Sequence, residues 1–420
     1  MHLTRGLSAK VAIGIGVLFI AAAAPAAADV LTSQQTFMDG VAGVTGLQAV
    51  RQVIVSPDGK NVYTAGEGQS AITVWSRAHD GSLKEIQVLE DKVGGITGIN
   101  FVDNLSVSPD GRNVYAAGIL SKTFVTFSRN AATGELTEVQ VLTDGVDVPS
   151  GLNGVVFNAT SPDGKNVYSA ATLDGAVVVF ARNRRTGLLT PIQIIQEGVG
   201  GVTGLTGAFP VTVSRDGKNV YVGARVDHTV LVFSRAGNGK LTLIQTLTEG
   251  TDGVIGIDGA RYITEAFEGN VVYVAGVVHS TIAVLARDHA TGKLSQIQVL
   301  INHVNAVDMN TPTGLVESFD HQHLFVTAFG SFSLDSFHHD KRNGKLGHEE
   351  QMTFDPGDGS VNPGLIQIIA AAMSPGGQNL YTVGFFGGNL NVWRITEKSH
   401  EPGEPAAADT GAGEDGNPPN

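Results

Sequence analysis

The chain has 420 residues, with 40 acidic side chains against 27 lysines and arginines, a formal charge of −13 and no cysteine. The acidic balance argues against nucleic acid as a partner, because holding a phosphate backbone needs clustered cations. The lack of cysteine excludes thiol catalysis and disulfide bridging, so a hydrophobic core alone must hold the fold.

In chain order the first element is MHLTRGLSAKVAIGIGVLFIAAAAPAAAD. Arg5 and Lys10 precede an apolar run, and Ala26-Ala27-Ala28 supplies small residues before Asp29. That order reads as a secretory signal over residues 1–28. The run is shorter than the roughly 20 residues a spanning helix needs, so no membrane insertion is expected after cleavage. The mature chain is expected in the periplasm or outside the cell. Losing Arg5 and Lys10 takes its charge from −13 to −15.

A repeat follows, over residues 29–398. SPDGKNVY stands at Ser56–Tyr63 and again at Ser161–Tyr168, with SPDGRNVY at Ser108–Tyr115 and SRDGKNVY at Ser214–Tyr221. The aligned ring positions are Tyr63, Tyr115, Tyr168, Tyr221, Tyr273, Phe325 and Tyr381, which makes seven units 52 to 56 residues apart. A fixed period of this size is a repeat architecture. The first unit reads as four strands: RQVIVS, NVYTAG, AITVWSR and LKEIQVL, separated by PDGK, EGQS and AHDGS. Four short antiparallel strands per unit, repeated seven times without helical periodicity, predict an all-β, closed seven-bladed propeller.

The ends predict how the ring closes. The last unit stops after LNVWRIT, one strand short. Leu31, Gln35, Phe37, Val44 and Gly46 fall 52 residues before Leu83, Gln87, Leu89, Ile96 and Gly98, so the N-terminal strand fits the missing place in the last blade. SPDGKNVY is then the turn between the innermost and second strands. Its Asp and Gly make the turn and its Tyr is expected to pack between blades. Residues 399–420 end in EPGEPAAADTGAGEDGNPPN, with five acids and no base, and read as a disordered tail.

Three motifs carry a family resemblance: VSPDGKNVY, the VFSR or VFAR end of the third strand (Val232–Arg235, Val179–Arg182), and turn-plus-strand segments such as RNAATGELTEVQVL. With these the chain resembles the lactonase-type seven-bladed propellers, the family of 6-phosphogluconolactonase and carboxymuconate-cyclase-like proteins. The resemblance implies that fold, and a lactonase-type hydrolase is the activity it suggests.

Candidate site residues lie where the repeat breaks. Twelve residues before the ring position stand Arg51, Asp103, Val156, Phe209, Arg261, Thr313 and Ile369. The two arginines and the aspartate would converge on the funnel axis. Loops between the second and third strands add Glu67, Arg225, His228 and His279 to the same face. A lactone hydrolase needs a cation for an anionic substrate, a base near neutral pH and a group that polarises the carbonyl. Arg51 or Arg261, His228 or His279, and Arg225 could fill those roles. The sixth unit's loop, INHVNAVDMNTPTG, lacks the Gly-Leu or Gly-Ile pair seen at Gly46, Gly98, Gly151, Gly204, Gly256 and Gly364, and brings His303, Asn305 and Asp308 to that face as substrate-binding candidates alongside Asp103.

Eight residues before the ring position, Glu265 and Glu317 replace packing residues. A buried carboxylate there must be paired, hydrogen-bonded or metal-bound, and a divalent metal is left open at the two glutamates. Histidines cluster in FDHQH (Phe319–His323) and FHHDKR (Phe337–Arg342), on the opposite face, as a second metal-binding possibility. No cofactor is otherwise expected. The partner is a small anionic molecule if the protein is a hydrolase, and a protein, glycan or metal ion if it is a non-catalytic binding propeller.

Overall fold

In the computed structural model the described residues, 30–305, 308–353 and 366–396, form 28 strands, numbered in chain order, and no helix. Blade one is β2 (Val50–Val55), β3 (Asn61–Gly66), β4 (Ala71–Arg77) and β5 (Leu83–Glu90), each hydrogen-bonded antiparallel to the next. Six sheets follow this order. The seventh is closed by the chain's first strand, as its repeat register predicts: β1 (Val30–Met38) pairs with β28 (Asn389–Thr396), which continues to β27 (Asn379–Gly384) and β26 (Ile368–Met373). Phe37 of β1 meets Trp75 of blade one with ring centroids 4.8 Å apart, so the closing strand also packs across the seam. The signal and tail segments lie outside the described residues.

The second strand of each blade is buried at every residue, NVYTAG in blade one and NVYSAA in blade three. Each is flanked by strands of its own sheet and covered on both faces by neighbouring blades, which suits small and β-branched side chains. The SPDG turn has Gly59 at φ 67°, and Asp58 accepts hydrogen bonds from Ser56 Oγ and the Lys60 amide.

The turn aspartate does more than the sequence assigns to it. Arg129, from the end of the third strand in blade two, donates from Nη2 to both Asp58 carboxylate oxygens at 3.0 Å and to Asn61 Oδ1 at 2.6 Å. Its Nε donates to Tyr63 Oη at 2.7 Å, and that hydroxyl donates to the Gly134 carbonyl. SPDGKNVY of one blade and the terminal arginine of VFSR in the next are therefore two halves of one inter-blade latch. Arg182 repeats it on Asp110, Asn113 and Tyr115, and Arg235 on Asp163, Asn166 and Tyr168. Arg287 holds Asp216 and Asn219. Burial raises the Asp216 carboxyl, but hydrogen bonds from Ser214, the Lys218 amide and Arg287 outweigh it and bring it down to about 2. Gly134 is required at its turn: φ is 88°, and a Cβ there would sit 1.9 Å from Asn61 Nδ2.

The long loops from fourth to first strands are built round one buried residue each: Leu47, Ile99, Leu152, Leu205 and Ile257. The acid that follows the preceding strand caps that residue's amide, as Asp91 does for Ile99 and Asp144 for Leu152. In blade six Met309 takes the buried place and Asn302 the cap, so the loop keeps its architecture without the Gly-Leu or Gly-Ile pair. Gly364 lies outside the described residues.

Candidate functional site in the funnel

The first strands line the axis, and the residues at their upper ends reach a cavity of about 580 Å³. Arg51, Arg225, Arg261 and Asp103 all line it. The three cations thus come from blades one, four and five, and the carboxylate from blade two. Thr172, Thr311 and Thr313 supply hydroxyls to the same wall.

Each guanidinium lies on a phenylalanine. Arg261 stands 4.1 Å and Arg225 5.1 Å from the Phe209 ring centroid, and Arg51 lies 4.0 Å from that of Phe385. Stacking holds a planar guanidinium without using up its hydrogen-bond donors, which stay available to a ligand. Arg51 is further fixed by an ion pair with Glu67, whose carboxyl burial pushes above the usual range. Burial lowers Arg261 to about 10, with Asp103 opposing the fall and the charges of Arg51 and Arg225 adding to it. Burial likewise lowers Arg225, again with Asp103 opposing. Three cations against Asp103 and Glu67 leave one positive charge in excess, so the cavity favours an anion.

Beside the cavity, and sharing Arg51, Asp103 and Arg261 with it, lies a space of only about 10 Å³ that Phe157 and Tyr262 also line. Phe157 packs on Phe209 and Tyr262 at centroid distances of 5.9 and 5.7 Å. Above the cavity, the loop tips carry a ring of exposed apolar residues that includes Leu120, Leu173, Val226, Val278 and Phe386. The aromatic walls and this rim have no signature in the repeat of the sequence. Phe209 was visible among the repeat breaks, but nothing in the period of the chain distinguishes Phe329, Phe385 or Phe386 from core residues.

The other candidates lie elsewhere. His228 and His279 do not line the cavity. Their Nδ1 atoms close on the two oxygens of buried Asp258, the His279 contact being 2.9 Å. Asn305 is occupied within its own loop, accepting from the Ile301 amide and donating to the Val299 carbonyl. His303 and Asp308 face one another at 3.5 Å, both well exposed. Glu265, at the end of β18 (Ala260–Glu265), and Glu317, at the end of β22 (Pro312–Glu317), sit at the opposite mouth. Glu265 accepts from the Arg215 amide at 2.5 Å and lies 3.7 Å from Arg287. Glu317 accepts from the Phe267 amide and from Arg215 Nη2, both at 2.9 Å. Each is thus tied to the preceding blade's turn. Burial pushes the Glu265 carboxyl up to about 7 and raises Glu317 as well.

Residues 42–199 and 150–311 match the family described as lactonase, seven-bladed beta-propeller, which covers more than half the chain. No curated protein sequence matches. Among solved structures, a candidate 6-phosphogluconolactonase from Bacteroides uniformis aligns with a TM-score of 0.60 at 18% identity, over 76% of this chain and 88% of that one. The periplasmic gluconolactonase of Pseudomonas aeruginosa aligns with a TM-score of 0.59 at 20% identity, over 71% and 84%. At such identities the structural likeness establishes the fold. No helix among the described residues is long and apolar enough to cross a membrane.

Proposed function

Because the chain belongs to the lactonase-type seven-bladed propeller family, we propose that its funnel cavity hydrolyses a lactone bearing an anionic group. The observation that carries this is the meeting of Arg51, Arg225 and Arg261 with Asp103 in one aromatic-walled cavity. Arg225, from a loop above the first strands, and Arg51 hold the substrate's carboxylate or phosphate. Arg261 donates to the carbonyl oxygen and stabilises the charge that develops there as water adds. Asp103 takes the proton from that water, in the role the sequence assigned to histidine. The water oxygen bonds to the acyl carbon, the ring C–O bond breaks, and the proton passes to the departing alkoxide. The product is a hydroxy acid. Export to the periplasm is part of the same reading, supported by the segment at residues 1–28 and by the periplasmic relative.

The test is acid release by pH-stat from sugar-acid lactones with and without a phosphate. Asp103→Asn is expected to lower kcat by about 10²–10⁴ with KM little changed, and Arg225→Ala chiefly to raise KM. A folded protein silent on every lactone would remove the hydrolase reading. The exposed apolar rim favours a second reading, a propeller that captures a protein or glycan over the funnel mouth without turnover. It gains if Arg225→Ala and Asp103→Asn change no rate.

A further inference from the structure

Blade six departs from the repeat at three positions that meet in space. Where five blades place the latch asparagine, as at Asn61 and Asn113, blade six has His323. Its partner across the ladder, Ser76 in blade one and Ser128 in blade two, becomes His338. The outermost strand of every blade carries one extra residue in a bulge. In blades one to five this is Ile86, Val139, Ile192, Ile244 and Ile297, and in blade six it is Glu349. Three adjoining substitutions, two to imidazole and one to carboxylate, have replaced a neutral patch. A core that needed only packing would have kept the aliphatic bulge.

We propose that His323, His338 and Glu349 bind a divalent transition-metal ion, with zinc the ion their chemistry fits best. One ligand atom from each lies within 4.8 Å of the other two. His323 Nε2 stands 3.2 Å from Glu349 Oε2, close to the edge of a tetrahedron with bonds of about 2.0–2.1 Å. His338 Nδ1 lies 3.8 Å from Glu349 Oε1. Two imidazoles and a carboxylate suit zinc, and disfavour calcium and magnesium, which select all-oxygen sets.

The surroundings fit a metal centre in two further ways. Asp320 Oδ1 lies 3.7 Å from His323 Nδ1, on the far side of the ring from Glu349. A carboxylate there orients a ligating imidazole and directs Nε2 at the ion. Asp320 has this role because the latch that occupies its counterparts is missing: the residue in register with Arg77 in blade seven is Ile395. Three protein ligands also leave a coordination position for water or an exogenous donor. His338 is half exposed and lines a cleft of about 550 Å³ with Gln322, Asp340 and Arg342, which gives that position a way in. The site faces away from the funnel cavity and does not depend on the hydrolase reading.

Untagged protein titrated calorimetrically with zinc should take up one equivalent. Cobalt should give the visible absorption of a four-coordinate nitrogen–oxygen site. His338→Ala and Glu349→Gln should each weaken zinc by at least 100-fold, and Asp320→Asn by about 10-fold, with the cobalt band lost or shifted. Thermal unfolding without metal checks that the variants fold, and zinc should raise the Tm of the unmodified protein but not that of His338→Ala or Glu349→Gln. His303→Ala should leave binding unchanged. The proposal is overturned if the unmodified protein takes up no zinc, or if His338→Ala and Glu349→Gln leave uptake intact. It is overturned equally if uptake is lost in His339→Ala alone, which would assign the ion to the neighbouring group of Glu268, Glu317 and His339.

Discussion

Between blades two and three, Arg182 reaches Asp110, Asn113 and Tyr115, and its side chain has no exposed surface. Between blades six and seven the same ladder position holds Ile395, and between blades five and six it holds His339. The second and third strands of the three blades that carry these positions pair in the same register. The surface cleft beside the latched junction has a volume of about 400 Å³, and the one beside Ile395 about 740 Å³. Sheet packing is therefore sufficient to seat one blade on the next, and the arginine latch is an addition. Where the latch is missing, polar positions that would serve it fall to ionisable groups: Asp320 turns to His323, and buried His339 meets Tyr273 edge-on at 6.0 Å. A closed ring tolerates this because each blade is also held by its other neighbour.

The widest separation of the two kinds of junction should come from removing the latch. Arg182→Ala leaves Asp110, Asn113 and Tyr115 without their partner and should cost about 3–5 kcal/mol in urea unfolding. His339→Ala removes no ion-pair network and should cost roughly 1–2 kcal/mol. Equal losses would mean that the latch contributes no more than ordinary packing.

Glu265 gives a smaller effect with a definite pH sign. Its folded carboxyl, pushed up from 4.5 to about 7 chiefly by burial, keeps a proton that the unfolded side chain releases. Between pH 4.5 and 7 the native state binds more protons, so this group's contribution to stability falls as pH rises through that window. Glu265→Gln should therefore raise stability by about 1–3 kcal/mol at pH 8 and by little at pH 4.5. A gain that is the same at both pH values would show that the side chain's charge is not what costs stability.

The smallest effect should come from rebuilding a latch. Ile395→Arg places a guanidinium opposite Asp320, and a gain of about 1 kcal/mol in unfolding free energy is expected. The same change should weaken zinc, since it draws Asp320 away from His323. A more stable variant with undiminished zinc affinity would separate Asp320 from the metal centre.

Of the funnel candidates, Arg51, Arg261 and Asp103 could be read from the sequence because they share one repeat position, and a repeat position is a height on the axis. Arg225 came from the loops, and it reaches the same cavity. His228 and His279 came from the same loops on the same face and did not. Loop position assigns a face but not a direction, and their direction is set by Asp258, a buried carboxylate that draws both rings to itself. The latch escaped for a similar reason. Asp58 alone explains a turn, and nothing local links it to Arg129, 71 residues away.

What the sequence determined by itself is the ring: seven units, four strands in each, and a first strand that completes the last blade. Those follow from period, alternation and turn chemistry, which are local, and from register, which repetition copies along the chain. What only the tertiary structure decided is which side chains meet. Three arginines from three blades share one cavity because closing the ring brings together residues whose separation in the chain carries no record of their distance, and two histidines and a bulged glutamate share one face of blade six because strand pairing and one extra residue set their register.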